Sequence, residues 1–231
     1  QAMRIGFFVW EYPPGISGGL GIYAENISRE LIEMGHDISV FTMNNGELKT
    51  REVIRGVDVN RPMLIDGSNI LPLFITEDLR KWDTELKFFN DVLIYNVLSA
   101  TKFVNELIKK EGYEFDIICA HDWLSAIAGL MIKKELGLPF VFHFHSTEWG
   151  RKLDGGSETV IYIEEAAANA ADGIITVSYP MQEDLIRHGI EAEKISVCWN
   201  GVSTELYDPN RLDYSAIQEL RNGYGISTED K

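Results

Sequence analysis

The residues best equipped for chemistry in this sequence stand directly after short apolar runs. Pro13-Pro14-Gly15-Ile16-Ser17-Gly18-Gly19-Leu20-Gly21 follows the apolar run Ile5 to Trp10 and leads into an amphipathic segment from Ile22 to Met34. That order predicts strand, glycine loop, helix. Glycine has no Cβ, so backbone can approach a ligand closely, and the N–H groups at a helix start favour an anion or a hydroxyl. Gly18 and Gly19 are therefore candidate ligand-binding residues. Glu11, His121-Asp122-Trp123, His145-Ser146-Thr147-Glu148, Ser178 and Asn200-Gly201 close other apolar runs. Ligand sites of open α/β sheets lie at the carboxyl ends of strands, where such groups would converge.

Each of these residues also has a plainer reading. Asp122 caps a helix starting at Trp123 or orients a ligand, and the two are compatible. Ser178 has the same two readings ahead of Pro180, and Asn200 either makes a turn with Gly201 or serves a site. Glu148 and Arg151 lie in a glycine-containing loop up to Gly156, as a solvated pair or as part of a mobile acceptor loop. His143 and His145 share a strand face, with His121 near them, but no Cys or carboxylate completes a recognised ligand spacing. No metal centre is expected, and His143 reads as structural while His145 reads as functional. Gly15, Gly19 and Gly21 also fit a dinucleotide fingerprint. Asn44 and Asn45 stand where an acidic ribose ligand is required, and no Tyr has Lys four residues later. An oxidoreductase is set aside and no cofactor is expected.

Positioning those residues requires an alternating fold. Strands are predicted near Arg4–Val9, Asp37–Met43, Asp116–Ala120, Phe140–Phe144, Gly173–Val177 and Lys194–Cys198. Apolar steps of three and four residues predict helices over Ile22–Met34, Trp82–Ile108, Trp123–Leu136, Glu158–Ala171 and Pro180–His188, the last closed by Gly189. The expected class is α/β, a doubly wound, mostly parallel Rossmann-like sheet with helices on both faces. Thr50–Arg55 and Val57–Pro62 around Gly56 read as a small hairpin insertion, followed by a Gly/Pro-containing loop to Thr76. After Trp199 the chain turns polar, with a short helix expected over Ser215–Arg221.

The whole sequence narrows the partners. Its 231 residues carry 21 Lys and Arg against 36 Asp and Glu, a net charge of −15, which argues against nucleic acid and anionic membranes. No apolar stretch is long enough to span a membrane. Cys119 and Cys198 read as free thiols, Gln1-Ala2 reads as a cloning remnant, and a cytoplasmic location is expected.

Ser17-Gly18-Gly19-Leu20-Gly21 resembles the glycine loop of glycogen and starch synthases and related retaining glycosyltransferases. His121-Asp122-Trp123, His145, Thr176-Val177-Ser178, and Asn200-Gly201-Val202 with Tyr207-Asp208-Pro209 are similar to later signatures of that group, in its order. The resemblance implies one half of a two-domain GT-B fold, with residues 3–212 as the N-terminal acceptor-side domain and 213–231 as linker and start of a C-terminal domain. It implies transfer of glucose, with retention, from a nucleoside diphosphate glucose to the non-reducing end of an α-1,4-glucan. The absent domain would hold the nucleotide, so the isolated chain is expected to be inactive. His145 would hydrogen-bond the transferred sugar, with Gly18, Gly19, Asp122, Ser178, Asn200, Glu148 and Arg151 as substrate-binding residues. One position departs from the pattern: bacterial glycogen synthases carry Lys where this chain has Ile16. His145 to Arg151 is similar to a broader sucrose-synthase-like group. A smaller sugar, a lipid-linked acceptor or a non-catalytic carbohydrate-binding module are the alternatives.

Overall fold

A strand covered on both faces has no polar side to show, and Ile5 to Phe8 is such a run, buried throughout. It forms the centre of an eight-stranded sheet in a computed structural model that describes residues 2–67, 69–73, 77–81, 86–151 and 156–227. In chain order the elements are β1 (Arg4–Phe8), α1 (Gly19–Glu33), β2 (Asp37–Phe41), β3 (Arg51–Ile54), β4 (Val57–Asn60), α2 (Glu77–Arg80) and α3 (Leu86–Thr101). A π-helical segment, Lys102–Lys110, continues α3. There follow β5 (Ile117–His121), α4 (Asp122–Leu136), β6 (Phe140–Phe144), α5 (Glu148–Arg151), α6 (Glu158–Ala170), β7 (Gly173–Thr176), α7 (Tyr179–Arg187), β8 (Ile195–Val197) and α8 (Tyr214–Gly223).

The strand order is β3-β4-β2-β1-β5-β6-β7-β8, parallel except where β3 pairs antiparallel with β4. The chain winds outward from β1 to β2 and β4, then returns to β5 on the other side of β1. The switch point thus lies between β1 and β5, where an open α/β sheet leaves a crevice beyond its carboxyl ends. Register aligns those ends, with Phe8 opposite Ala120, His121 opposite His143 and Phe144 opposite Thr176.

Alternation along the strands sorts the core into two layers. Phe8, Phe41 and Phe103 pack on the α3 side with Phe140, Phe142 and Phe144, and Phe8 stacks on Phe41 at 4.8 Å. Ile5, Phe7, Val9, Val40 and Ala24 of α1 form the other layer. Buried Asn96 locks α3 to α4: its Oδ1 accepts from Ala128 N at 2.8 Å and its Nδ2 donates to Leu124 O at 2.7 Å.

The bounds of two helices are corrected. The helix expected over Trp82–Ile108 is described from Leu86, residues 82–85 lying outside the described residues, and it passes into the π segment before ending at Lys110. The hairpin expected around Gly56 is present, β3 pairing antiparallel with β4, and β4 also pairs with β2 in parallel to extend the main sheet. Helix α1 begins at Gly19, one turn before the apolar periodicity starts.

Among the described residues no helix is long and apolar enough to cross a membrane. Packing divides the chain into two units, Gln1–Trp199 and Asn200–Lys231. The second unit contains α8, whose first turn donates from Ser215 N and Ala216 N to the Asp213 carboxylate.

Candidate active site at the strand ends

The glycine loop is held from within by Glu11. Its carboxylate accepts from Ser17 Oγ at 2.6 Å, Ser17 N at 3.3 Å and Gly18 N at 3.0 Å. Gly18 N–H, expected to face a ligand, is thus already engaged inside the protein. Gly19 opens α1, and a Cβ placed on it would meet nothing within 4 Å. Gly21 answers to packing, since its Cβ would sit 3.0 Å from two Ile16 side-chain carbons. Ile16, which stands in place of a cation, therefore packs the loop onto α1.

A second support escaped the sequence reading. Arg61 is wholly buried; its guanidinium donates to Pro13 O at 2.7 Å and pairs with Glu52 at 2.6 Å. A basic residue just after a strand gives no sign along the chain of where it will be buried.

Asp122 starts α4 with φ +55°, a left-handed conformation that non-glycine residues rarely adopt. His121 occupies the cap position, so the expected capping by Asp122 gives way to a different bond. The Asp122 carboxylate accepts from His145 N at 2.7 Å and Ser146 N at 3.2 Å, tying the end of β6 to that of β5. Burial pushes its carboxyl up to about 6, against the pull of those two bonds.

Three imidazoles lie together on the α1 face of β5 and β6. His121 Nδ1 donates to Phe8 O at 2.9 Å, and His143 Nδ1 lies 3.2 Å from the Tyr23 hydroxyl. His143 and His145 stack at 4.0 Å, and Tyr23 meets His145 edge-on at 4.5 Å. Burial pushes His121 down to about 3 and His145 down to about 4, and holds His143 well below the usual histidine range. All three are neutral near pH 7. One ligand atom from each ring lies within 4.8 Å of the others. The pairing of β5 with β6 sets His121 opposite His143, beside the strand face that His143 and His145 share.

Glu148 is no solvated partner of Arg151. It is buried, accepts from Ser157 N at 3.0 Å, and pairs with the partly exposed Arg151 at 2.9 Å. Glu148 N in turn donates to the carboxylate of Glu164 at 3.0 Å. Glu164, wholly buried, was not anticipated; burial pushes its carboxyl up to about 8. Its signal was a glutamate on the face of α6 that carries Val160, Ile163, Ala167 and Ala168. Arg151 also donates to Ser146 Oγ at 2.7 Å, but the rest of the expected acceptor loop, 152–155, lies outside the described residues. Ser178 caps α7, accepting from Met181 N at 3.3 Å. Asn200 begins the second unit, so the first unit gathers Glu11, Gly18, Gly19, Asp122, His145, Glu148, Arg151 and Ser178 without it.

A doubly wound sheet with a glycine loop at its switch point and polar groups along the next strand ends is the architecture of GT-B glycosyltransferases. Residues 17–206 match the model of Glycosyltransferase Family 4, and the chain belongs to that family. An uncharacterized glycosyltransferase of Methanocaldococcus jannaschii is 27% identical over 235 residues, covering 99% of this chain and 54% of the relative. A glycogen synthase of Mycobacterium tuberculosis is 28% identical over 217 residues, covering 87% and 48%. The chain spans about half the length of these relatives.

The fold is similar to that of sucrose-phosphate synthase from Thermosynechococcus elongatus, with a TM-score of 0.67, 18% identity, and 98% and 53% of the two chains covered. It is also similar to Anabaena HepE in complex with UDP-glucose, with a TM-score of 0.61, 20% identity, and 96% and 50% covered.

Proposed function

We propose that this chain is the acceptor-side half of a retaining glycosyltransferase that moves glucose from a nucleoside diphosphate glucose to the non-reducing end of an α-1,4-glucan. The observation that carries the reading is an open glycine at Gly19, where α1 begins after β1, together with His145, which follows β6, packs against Tyr23 of α1 and has its backbone fixed by Asp122. The glycogen synthase relative supports a glucan acceptor, and the HepE complex supports a nucleotide sugar as donor.

In this reading the acceptor hydroxyl attacks the anomeric carbon on the face the phosphate leaves, and the departing phosphate takes the hydroxyl proton. The chain supplies positioning and dipoles, which act where charge develops. The first-turn N–H groups from Gly19 onward receive a phosphate or hydroxyl, and His145 hydrogen-bonds the transferred sugar. Arg151 borders the acceptor, Glu148 holds it in place, and Asp122 acts through the backbone of His145. Ser178 borders the site from the end of β7. Cations for the pyrophosphate would come from a C-terminal domain, consistent with a net charge of −15 here.

Calorimetric titration of the 231-residue chain with maltooligosaccharides, ADP-glucose and UDP-glucose tests this division. Glucan binding that weakens in Arg151→Ala, without tight binding of either nucleotide sugar, is the expected result. Tight binding of a nucleotide sugar by this chain alone overturns it. Ile16 in place of a lysine favours one variant, a smaller sugar as acceptor, which binding of short saccharides in preference to longer ones would establish.

A further inference from the structure

We propose that Glu164 of α6 is a positioning residue for acceptor binding: it anchors the single turn α5 and so fixes where Arg151 presents its guanidinium. The inference rests on the reading that Arg151 borders the acceptor, and it names the residue on which that placement depends.

The need for an anchor follows from length. α5 has four residues, and one helical turn has almost no stability of its own. Gly150 inside it lowers the helix propensity further. The first N–H groups of such a turn also have no partner within it. Glu164 supplies one from another element. Its two carboxyl oxygens lie 3.1 and 3.0 Å from Glu148 N, which donates to them. Oε1 of Glu164 also lies 3.5 Å from Nη2 of Arg151, the nitrogen that donates to Glu148 Oε2 at 2.9 Å. One wholly buried side chain thus reaches both the beginning and the end of the turn.

Helix α6 is a firm support for it. It runs for 13 residues, and Val160, Ile163, Ala167 and Ala168 bury the face that carries Glu164. Its first turn is tied down as well. Ser157 Oγ donates to Asp78 of α2 at 2.7 Å, and Thr159 N donates to the same oxygen at 3.3 Å. Because Glu164 is held, the turn takes its place from Glu164 and not the reverse. A second tie on α5, from Trp149 Nε1 to Asp184 of α7 at 2.6 Å, holds the indole and does not reach the guanidinium. Burial raises the Glu164 carboxyl to about 8, so at neutral pH it carries a proton and Gln is its near match in shape and bonding. Leu keeps much of the volume and removes the acceptor.

Two measurements at pH 7 on the 231-residue chain test the proposal: maltooligosaccharide affinity by calorimetry, and amide exchange over residues 146–151 by mass spectrometry. Glu164→Leu should weaken glucan binding roughly 5- to 10-fold and speed exchange in that segment. Glu164→Gln should rescue most of both. In a double-mutant cycle Glu164→Leu should cost little affinity once Arg151 is Ala, whereas a purely structural loss adds in full. The exposed neighbour is the control, and Glu165→Gln should match wild type in both measurements. If Glu164→Leu fails to fold, Glu164→Ala, which leaves room for water, takes its place in the cycle. Unchanged exchange in the variant that removes the acceptor, or losses that add in the cycle, would overturn the proposal. Faster exchange with glucan affinity unchanged in both Glu164→Leu and Arg151→Ala would overturn the reading of Arg151 as an acceptor contact, and the role of Glu164 in binding with it, leaving only the anchor.

Discussion

Asp122 accepts two backbone hydrogen bonds from a strained, buried position, and each half of that statement has a measurable consequence. Replacement by Ala leaves two amides without their acceptor at a left-handed residue, so Asp122→Ala should cost about 2–4 kcal/mol. Asparagine keeps an oxygen acceptor and tolerates that conformation, and Asp122→Asn should cost about 1 kcal/mol. Urea unfolding of the two variants separates the bond from the shape; equal losses would contradict the bonding account. Glu164 supplies a pH test. Its carboxyl is raised to about 8 in the folded chain against about 4.5 unfolded. Its contribution is therefore present below about pH 4.5 and lost as pH rises through 8. Wild type should lose on the order of 2–4 kcal/mol relative to Glu164→Gln across that window. The buried histidines slope the other way. Their pKa values are depressed, so their contribution is present above the ordinary histidine value and lost as pH falls toward 4 and 3. Thermal melts of wild type and Glu164→Gln across pH 4.5–9 should show the alkaline slope flattened in the variant and the acid slope unchanged.

At the scale of elements, the glycine loop is two different devices in one stretch. Gly21→Ala presses a methyl against Ile16 and the Glu11 Cβ, and should destabilise by about 1–3 kcal/mol. Gly19→Ala meets open space, so the melting temperature should hold while ligand binding at the loop weakens. Paired melting and titration of both variants checks the separation; a destabilised Gly19→Ala would refute it. This distinction was not legible in the sequence, where both are glycines of one motif. Most element boundaries were legible, because apolar periodicity reports burial, and β6 falls on the residues expected, Phe140–Phe144. Periodicity failed where other forces act. Gly18 and Gly19 have poor helix propensity, so α1 read as starting late, yet Glu11 secures its entry from across the loop. The hairpin read as an insertion because alternating Val57 and Val59 say that a strand exists but not which strand it joins. The left-handed backbone of Asp122 leaves no compositional trace at all.

For the whole molecule, doubly wound topology explains why a linear scan found the site's members but not its joinery. The loop, the aspartate and the histidine follow β1, β5 and β6, neighbours in the sheet, although the loop lies about a hundred residues before the aspartate and the aspartate 23 before the histidine. Each ends an apolar run, which marks it in sequence. Glu164, Arg61 and Tyr23 sit inside elements or past them, and long-range packing alone gives them their parts. The anchor through Arg61 makes an asymmetric forecast. Glu52→Ala strands a wholly buried guanidinium and should cost about 3 kcal/mol. Arg61→Met keeps the volume, removes the charge, and should cost less despite being the larger change, as denaturant titration of the two would show.

That anchor also bears on how such proteins can be recombined. The β3–β4 edge looks exchangeable, a terminal ribbon at the far side of the sheet from β8, yet Arg61 reaches from it to the carbonyl of Pro13 while clasping Glu52. A chimaera that grafts this edge from one relative onto the glycine loop of another would inherit a mismatched strut, and the loop would shift its resting position without a single change in its own residues. Hairpin and loop are best transplanted as one cassette.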